Sequence, residues 1–521
     1  MGIPLYFNKI TNSYKNIISP SKQKCDRLFL DFNGIIHNVF QTIKHTVDPK
    51  LSKSDFEDEL IRKVIEYTEY VCDYASPKQL VFICIDGVAP LPKIQQQRKR
   101  RYLSSWLKAK IKEEGYAWDS NAISPGTDFM RKLNDVLRLH IKHKKSPYEM
   151  ILSDSSDEGE GEHKIFDYIH YHANTNSIDV IYGLDADLIM LSIICDRSKK
   201  FLLREPQHYH RNQHPVHDSN APFLWFHVEK FKENLMNYYD KKIDIKSYVF
   251  LCFLIGNDFL PNLTYLGIHN DGISKILNAY TQALDSFCAP IVMQNDSNDK
   301  FEVNFVTLTK LVELLYRDED REMSKLHKNY YDKSMVFKTN KLRLENYGVS
   351  HKEESTRRVF DNKNWRSHYY TQLFDMNLYY DNVISMACES YVLGLVWVAD
   401  YYFNKMNRSN WFYTYNYSPT ILDIYNYLEV NKTNISLESG NYPCYQISSD
   451  LQLLMILPIH SIDVIPLELR GLLSPESSIG HYYPHDFKIQ SYLKTKLHEC
   501  CPILPRLNVN ELQVAYLNII S

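Results

Sequence analysis

Five short apolar runs, LFLDF, LVFICID, MILSD, IDVIYGLD and KFLLRE, mark the first 205 residues, and each gives way to acidic, glycine or turn residues. Runs of this length and ending read as buried β-strands. Helical patterns lie between them. Residues 55–75 (DFEDELIRKVIEYTEYVCDYA) place apolar positions three and four apart, and residues 127–142 do so after the Pro125-Gly126 start signal. Strand alternating with helix predicts an α/β layer built on a mainly parallel sheet. After Asp258 the strands thin out, and residues 270–470 read as mostly helical with aromatic-rich faces.

The runs share a second property. Asp31 ends the first, Asp86 follows the second, Glu160 and Glu162 lie in GEGEHK, Asp185 and Asp187 in YGLDADLIML, and Asp258 in IGNDFLP. A parallel sheet brings the carboxyl ends of its strands to one rim, so all seven acids are expected at a single point. Like charges gathered there repel unless cations lie between them. Mg²⁺ suits carboxylate oxygens, with Mn²⁺ as the alternative, and two such ions ~4 Å apart are the usual means of cleaving a phosphodiester with water. A lone aspartate at a strand end is more often a helix cap. The paired spacing argues otherwise: Asp185 and Asp187, read as an extended strand end, aim to one side. Asp154, Asp157 and Glu158 read as solvent-facing members of the same acidic run.

Beyond Asp86 comes a basic run, Lys93, Gln97, Arg98, Lys99, Arg100 and Arg101. On a helix, positions 93, 97, 100 and 101 share one face. Such a stripe is a phosphate cradle with guanidinium forks suited to a terminal monoester. Without context it reads equally as a solvated face or an import tag.

The net charge of −3 and pI of about 6.7 do not announce nucleic acid, so any such affinity must come from local patches. No apolar run approaches the ~18 residues expected of a membrane span, the start lacks a secretion-signal layout, and Tyr6 breaks a myristoylation pattern. Ten cysteines without a C-x-x-C pair suggest free thiols and an intracellular setting, cytoplasm ahead of nucleus. Residues 205–221 read as a surface loop whose His208, His210, His214 and His217 fit no standard zinc spacing. The charged segment 317–364 reads as a mobile insertion.

MGIPLYF, DFNGIIH, IDGVAPLPKIQQQRKRR, NAISPGTDFM, SDSSDEGEGEHK, YGLDADLIML and CFLIGNDFLP, followed by NWRSHYY, YVLGLVWVADYY, NWFYTYNYSP, LLMILP, YYPHDF and ILPRL, resemble in order and spacing the Xrn family of 5′→3′ exoribonucleases. The resemblance implies a nuclease domain related to PIN and flap-nuclease folds over residues 1–268. A mostly helical second block, 269–521, would complete the substrate channel. It further implies that Asp31, Asp86, Glu160, Glu162, Asp185, Asp187 and Asp258 are catalytic and hold two Mg²⁺ ions. Lys93, Gln97, Arg100 and Arg101 would hold the 5′-monophosphate of single-stranded RNA, which leaves as 5′-mononucleotides in RNA turnover or mRNA decay. His37 and a tryptophan would sandwich the first base, with Trp411 preferred to Trp397, whose neighbours Leu395, Val396 and Val398 suggest a core position. Asn33 is placed to orient a carboxylate or a water. No membrane role is implied, and protein partners are left open.

Two departures stand out. Asn8 occupies a position where the family commonly has arginine, and the chain looks like a minimal core without further β-rich domains. Two other readings compete. A flap endonuclease shares the acid pattern, but NLTYLGIHNDGISKIL lacks the glycine-rich hairpin expected after Asp258. A silent RNA-binding scaffold would be expected to lose acids, and none is missing.

Overall fold

The computed structural model describes residues 3, 5–110, 116–206, 222–287, 289–295, 300–336, 365–374, 381–404, 411–431, 435, 445–494 and 499–520. All five apolar runs form strands. In chain order the main sheet comprises Ile18–Ser19 (β1), Arg27–Asp31 (β2), Leu80–Cys84 (β3), Glu149–Ser153 (β4), Ile178–Tyr182 (β5), Lys199–Arg204 (β6) and Leu224–His227 (β7). Their spatial order is β1-β7-β6-β5-β2-β3-β4. β2 to β6 pair in parallel, and β7 and β1 extend one edge antiparallel. β2 lies centrally, with the chain running outward to β3 and β4 on one side and to β5 and β6 on the other. In such sheets the crevice lies beyond the carboxyl ends, where the order reverses. Neither antiparallel strand was foreseen: β1 has two residues, too few for a pattern, and β7 follows the polar stretch 205–221.

Helices Tyr6–Ser13 (α1), Phe32–Ile43 (α2), Lys53–Ala75 (α3), Leu91–Lys110 (α4), Asp128–His143 (α5), Gly161–Tyr171 (α6), Ala186–Ile194 (α7), Val228–Tyr238 (α8) and Ile245–Phe253 (α9) accompany the sheet. The period-two alternation of a strand divides the residues of β2 between two cores. Leu28 and Leu30 join one with Ile35, Val64 and Leu133, while Phe29 joins the other with Ile165, Ile189 and Phe250. Thr127 caps α5 by accepting the Met130 N–H, which gives the Pro125-Gly126 signal its physical basis.

The later region is helical as expected, with Gly272–Phe287 (α10), Phe305–Tyr316 (α11) and Glu319–Val336 (α12) followed by Trp365–Leu373, Asp381–Ala399, Ile421–Asn431, Ser449–Ile456 and Val509–Ile520. The core runs unbroken past residue 268: one apolar cluster joins Tyr6, Phe253 and Leu260 to Tyr391, Trp397 and Leu428. Another joins Leu91 and Ile94 of α4 to Leu453, Leu457, Tyr483 and Leu507. Arg98, expected in the basic run, is 3% exposed and donates to the Pro505 and Tyr482 carbonyls at 2.6 Å each. It fastens the basic helix to the end of the chain. Hydrogen bonds from a charged donor contribute ~1.5–3 kcal/mol each, so Arg98→Ala should lower unfolding free energy by about 3 kcal/mol or more. An unchanged denaturant midpoint would show that the latch does not matter.

Three expectations need correction. Asp154 is buried rather than solvated, bonded to Ser156 and paired with Arg138. The start of the charged segment is built into the fold: Glu319 is fully buried and accepts from the Ile421 and Leu422 N–H groups and Thr264, with Arg366 beside it. There it does the work of an N-cap for Ile421–Asn431, supplied from far away in sequence. Residues 337–364, and the histidines 208 to 217, lie outside the described residues. Finally, Asn382–Asn404 is long and apolar enough to cross a membrane by length and composition. Here Ala387, Cys388, Tyr391, Val392, Leu395 and Trp397 of that helix are buried in the protein core.

Candidate active site

Three of the seven acids stand at the N-cap positions of helices: Asp31 before α2, Glu160 before α6 and Asp185 before α7. None of the three makes the side-chain capping bond. Their carboxylates are thereby left for another use. Glu162 and Asp187 follow in the first turns of α6 and α7. The pair 185/187 is thus carried by a helix start and not by an extended strand, since β5 ends at Tyr182. The partial positive charge at a helix N-terminus favours carboxylates, so these positions lower the cost of crowding them.

The acids converge. The Gly161 N–H donates to Asp86 Oδ1 at 2.7 Å, and a methyl group at position 161 would lie 3.3 Å from Asp86 Oδ1, 3.4 Å from Asp31 Oδ1 and 2.9 Å from the Cys84 carbonyl. The Cys84 carbonyl is the contact that requires glycine there, and the two aspartates lie just beyond it. Lys93 Nζ lies 2.5 Å from Glu160 Oε1 and 2.8 Å from Asp258 Oδ2, which ties α4 and the segment after α9 into the same cluster. Asn33 accepts the Asp86 backbone N–H at 3.1 Å, so it orients the acid through its main chain.

Electrostatics describe a surplus of negative charge. Burial, with the Asp86 and Asp185 carboxylates beside it, pushes Asp31 well above the ordinary carboxylate range. Burial and Asp187 do the same to Glu162, and burial and Asp258 push Asp187 up to about 6. Burial alone would lower Lys93, yet Asp258, Glu160, Glu162 and Asp187 carry it well above its usual value. For Asp258 burial opposes ionisation, but the Lys93 ammonium holds it below its ordinary range. All seven donors are carboxylates, the hard oxygen set that suits Mg²⁺ or Mn²⁺. His163 was not foreseen: its ring nitrogen and the oxygens of Glu160 and Glu162 lie within 4.8 Å of one another. GEGEHK held the signal, a histidine one residue past the second glutamate.

Other contributors were also invisible to pattern. Arg204, at the end of β6, donates to the Leu184 and Asp185 carbonyls and stacks on Phe7 at 4.2 Å, bracing the acid loop against α1. Tyr401 donates to Glu160 Oε2 at 2.6 Å, and Tyr402 to Asp187 Oδ1 at 2.8 Å.

The basic stripe keeps one helix face but divides its labour. Lys93 sits among the acids, Gln97 and Arg101 are buried, and Arg100 is exposed. Arg101 Nη1 donates to Asn121 Oδ1 at 3.0 Å, while its buried Nε has no hydrogen-bond partner. Burial, with Arg100 next to it, pushes the Arg101 guanidinium down to about 9. His37, on α2, has a solvent-exposed surface; the protein packed around it, with Arg100 and Arg101 nearby, pushes it down to about 4. Trp411 is not on an open wall: it is 2% exposed, 6.1 Å from the Trp397 ring, with the bare Cα of Gly394 against its six-membered ring. Trp397 is equally buried and stacks on Tyr401 at 5.0 Å.

An α/β sheet with acids at its switch point and a cationic helix beside them defines the class of a phosphodiester-handling domain. Residues 1–206 match the family described as XRN 5′-3′ exonuclease N-terminus, and residues 238–363 and 318–512 match the Xrn1 helical domain; the chain belongs to the XRN family. It is 26% identical to human 5′-3′ exoribonuclease 1 over 98% of this chain and 34% of that protein. With 5′-3′ exoribonuclease 2 of Yarrowia lipolytica it shares 26% identity over 94% of this chain and 64% of that protein. The chain therefore spans less than two thirds of these relatives' length. Among solved structures, the catalytic core of Rad2 in complex with DNA substrate matches with 12% identity and a TM-score of 0.34, over 69% of this chain and 85% of that one.

Proposed function

We propose that the chain is a Mg²⁺-dependent 5′→3′ exoribonuclease that takes single-stranded RNA with a 5′-monophosphate and releases 5′-mononucleotides, in RNA turnover or mRNA decay. The observation that carries this reading is one helix with two roles: α4 inserts Lys93 between Glu160 and Asp258, and presents Gln97, Arg100 and Arg101 one and two turns further on. Those turns lie about 6 and 12 Å along the axis, so a strand end held by the guanidinium groups sets its first linkages beside the carboxylates.

Asp31, Asp86, Glu160, Glu162, Asp185, Asp187 and Asp258 would hold the divalent ions, which when bound lower the pKa of an attacking water and neutralise charge on the phosphate. The protein's own groups do the rest. Arg101, with an unpartnered Nε and no carboxylate in the hydrogen bonds it makes, gains in a terminal phosphate the acceptor that it lacks. Gln97 Oε1, buried and without a partner, can accept a hydrogen bond from a phosphate monoanion or a bound water. His37 is uncharged at neutral pH and exposed, which suits it to a base face rather than to a second phosphate.

The test uses purified protein, Mg²⁺ and internally labelled RNA, either linear with a 5′-monophosphate or a 5′-hydroxyl, or circular. Mononucleotides should leave the monophosphorylated strand in order from the 5′ end, and EDTA should stop them. Cleavage of circular RNA at the same rate, or hydrolysis that survives EDTA, would overturn the proposal.

A further inference from the structure

The helix that begins at Asp381 does not end as an α-helix: Asp400–Asn404 winds as a π-turn. Such single turns break the regular ladder and are retained mostly where a function needs them. This one is held from both sides. Asn404 Oδ1 accepts the Phe301 N–H at 2.8 Å, while Asn404 Nδ2 donates to the Phe301 carbonyl at 2.8 Å and to Asp400 Oδ1 at 2.7 Å. The turn carries two successive tyrosines toward the acids. Tyr401 donates to Glu160 Oε2 at 2.6 Å, and Tyr402 donates to Asp187 Oδ1 at 2.8 Å. Their rings are fixed as well: Tyr401 stacks on Trp397 at 5.0 Å and meets His163 at 3.9 Å, and Tyr402 packs on Phe253 at 4.9 Å.

We propose that Tyr401 and Tyr402 are positioning residues for the divalent-metal site, by which the helical second region sets the orientation of Glu160 and Asp187. The proposal rests on the metal-nuclease reading above and deepens it. Each carboxylate has two oxygens. With Glu160 Oε2 committed to Tyr401 and Asp187 Oδ1 to Tyr402, the other two oxygens have fixed directions, Glu160 Oε1 toward the Lys93 ammonium at 2.5 Å. Two effects oppose each other. A hydrogen bond withdraws charge from a carboxylate and weakens it as a ligand, whereas a fixed direction spares the ordering cost when a metal arrives. In metal sites the second effect prevails, and loss of such partners typically costs about 10- to 100-fold in metal affinity or activity.

The experiment is a calorimetric titration of the whole chain with Mn²⁺ alone, without RNA. Wild type is compared with Tyr401→Phe, Tyr402→Phe and the control Tyr413→Phe, whose hydroxyl donates to the Tyr417 carbonyl at 2.8 Å, away from the acids. Each of the first two should raise the Mn²⁺ Kd about 10-fold or more, while the control leaves it unchanged. In a Glu160→Gln background, Tyr401→Phe should add little, because the two changes act on one ligand. The near-isosteric Phe keeps the ring packing, and thermal melts of each variant in EDTA report whether it folds. Wild-type Kd values in folded Phe variants would overturn the proposal and leave the nuclease reading standing. A wild type that takes up no Mn²⁺ would sink both.

Discussion

Asp31→Asn is expected to abolish RNA hydrolysis and yet to melt no lower than wild type when metal is withheld. Asp31 lies at the middle of the sheet, between Asp86 and Asp185, with its carboxyl pushed well up by burial and by both neighbours. Removing its charge relieves repulsion in the metal-free protein while taking a ligand from the site. Metal-held charge stabilisation is worth several kcal/mol, and each 1.4 kcal/mol is tenfold, so turnover should fall to about a thousandth or less. Asp187→Ala should lose activity equally but gain less in the melt, because it leaves the buried Tyr402 hydroxyl without its acceptor, at a cost of ~1–3 kcal/mol. The pH dependence has a definite sign. Asp187 is held near 6 when folded against 3.8 as its ordinary value, so the folded state binds the proton more tightly. Its contribution to stability is full below the ordinary value and lost as pH rises through about 6. Melting in EDTA should therefore fall from pH 5 to 7, less so in Asp187→Asn. Wild-type turnover in Asp31→Asn would sink the metal assignment.

What the sequence shows of this site is what local pattern can encode. β2 to β6 follow from short apolar runs, and the acids follow from their position just past those runs, because a parallel sheet has only one carboxyl edge. Which backbone carries an acid is less legible. Asp185 and Asp187 have the spacing of a strand end, but β5 ends at Tyr182 and the helix begins in time to hold both. Tyr401 and Tyr402 lie in a window that reads as one continuous apolar helix; neither the π-turn nor its meeting with α6 and α7 is a property of that window. Trp411 misleads for a similar reason. Nothing within NWFYTYNYSP shows that Gly394, on a helix before it in the chain, leaves the space that the Trp411 ring fills. The helix face carrying Lys93 is legible in the spacing, but its place between Glu160 and Asp258 is a matter of distance that the sequence does not show.

Arg101→Ala separates end recognition from catalysis. The Arg101 guanidinium is buried, is pushed down by that burial and by Arg100, and donates to Asn121 through Nη1 while Nε goes without a partner. A cation so placed costs stability in the free protein, and it recovers that cost only when an anion arrives. A terminal phosphate is such an anion, and a 5′-hydroxyl is not. Charged hydrogen bonds contribute ~1.5–3 kcal/mol each, so the substitution should reduce kcat/KM on 5′-monophosphorylated RNA by roughly 10- to 100-fold. Activity on 5′-hydroxyl RNA, already low, should hardly change. Arg101→Met, which keeps the bulk without the charge, should show the same kinetic loss with a melting temperature at or above that of wild type. A purely structural arginine predicts the reverse: both substrates slowed together, and a lower melt. Equal loss on the two RNA ends would remove the pocket from end recognition, and with it the physical reason for work that proceeds only from 5′ to 3′.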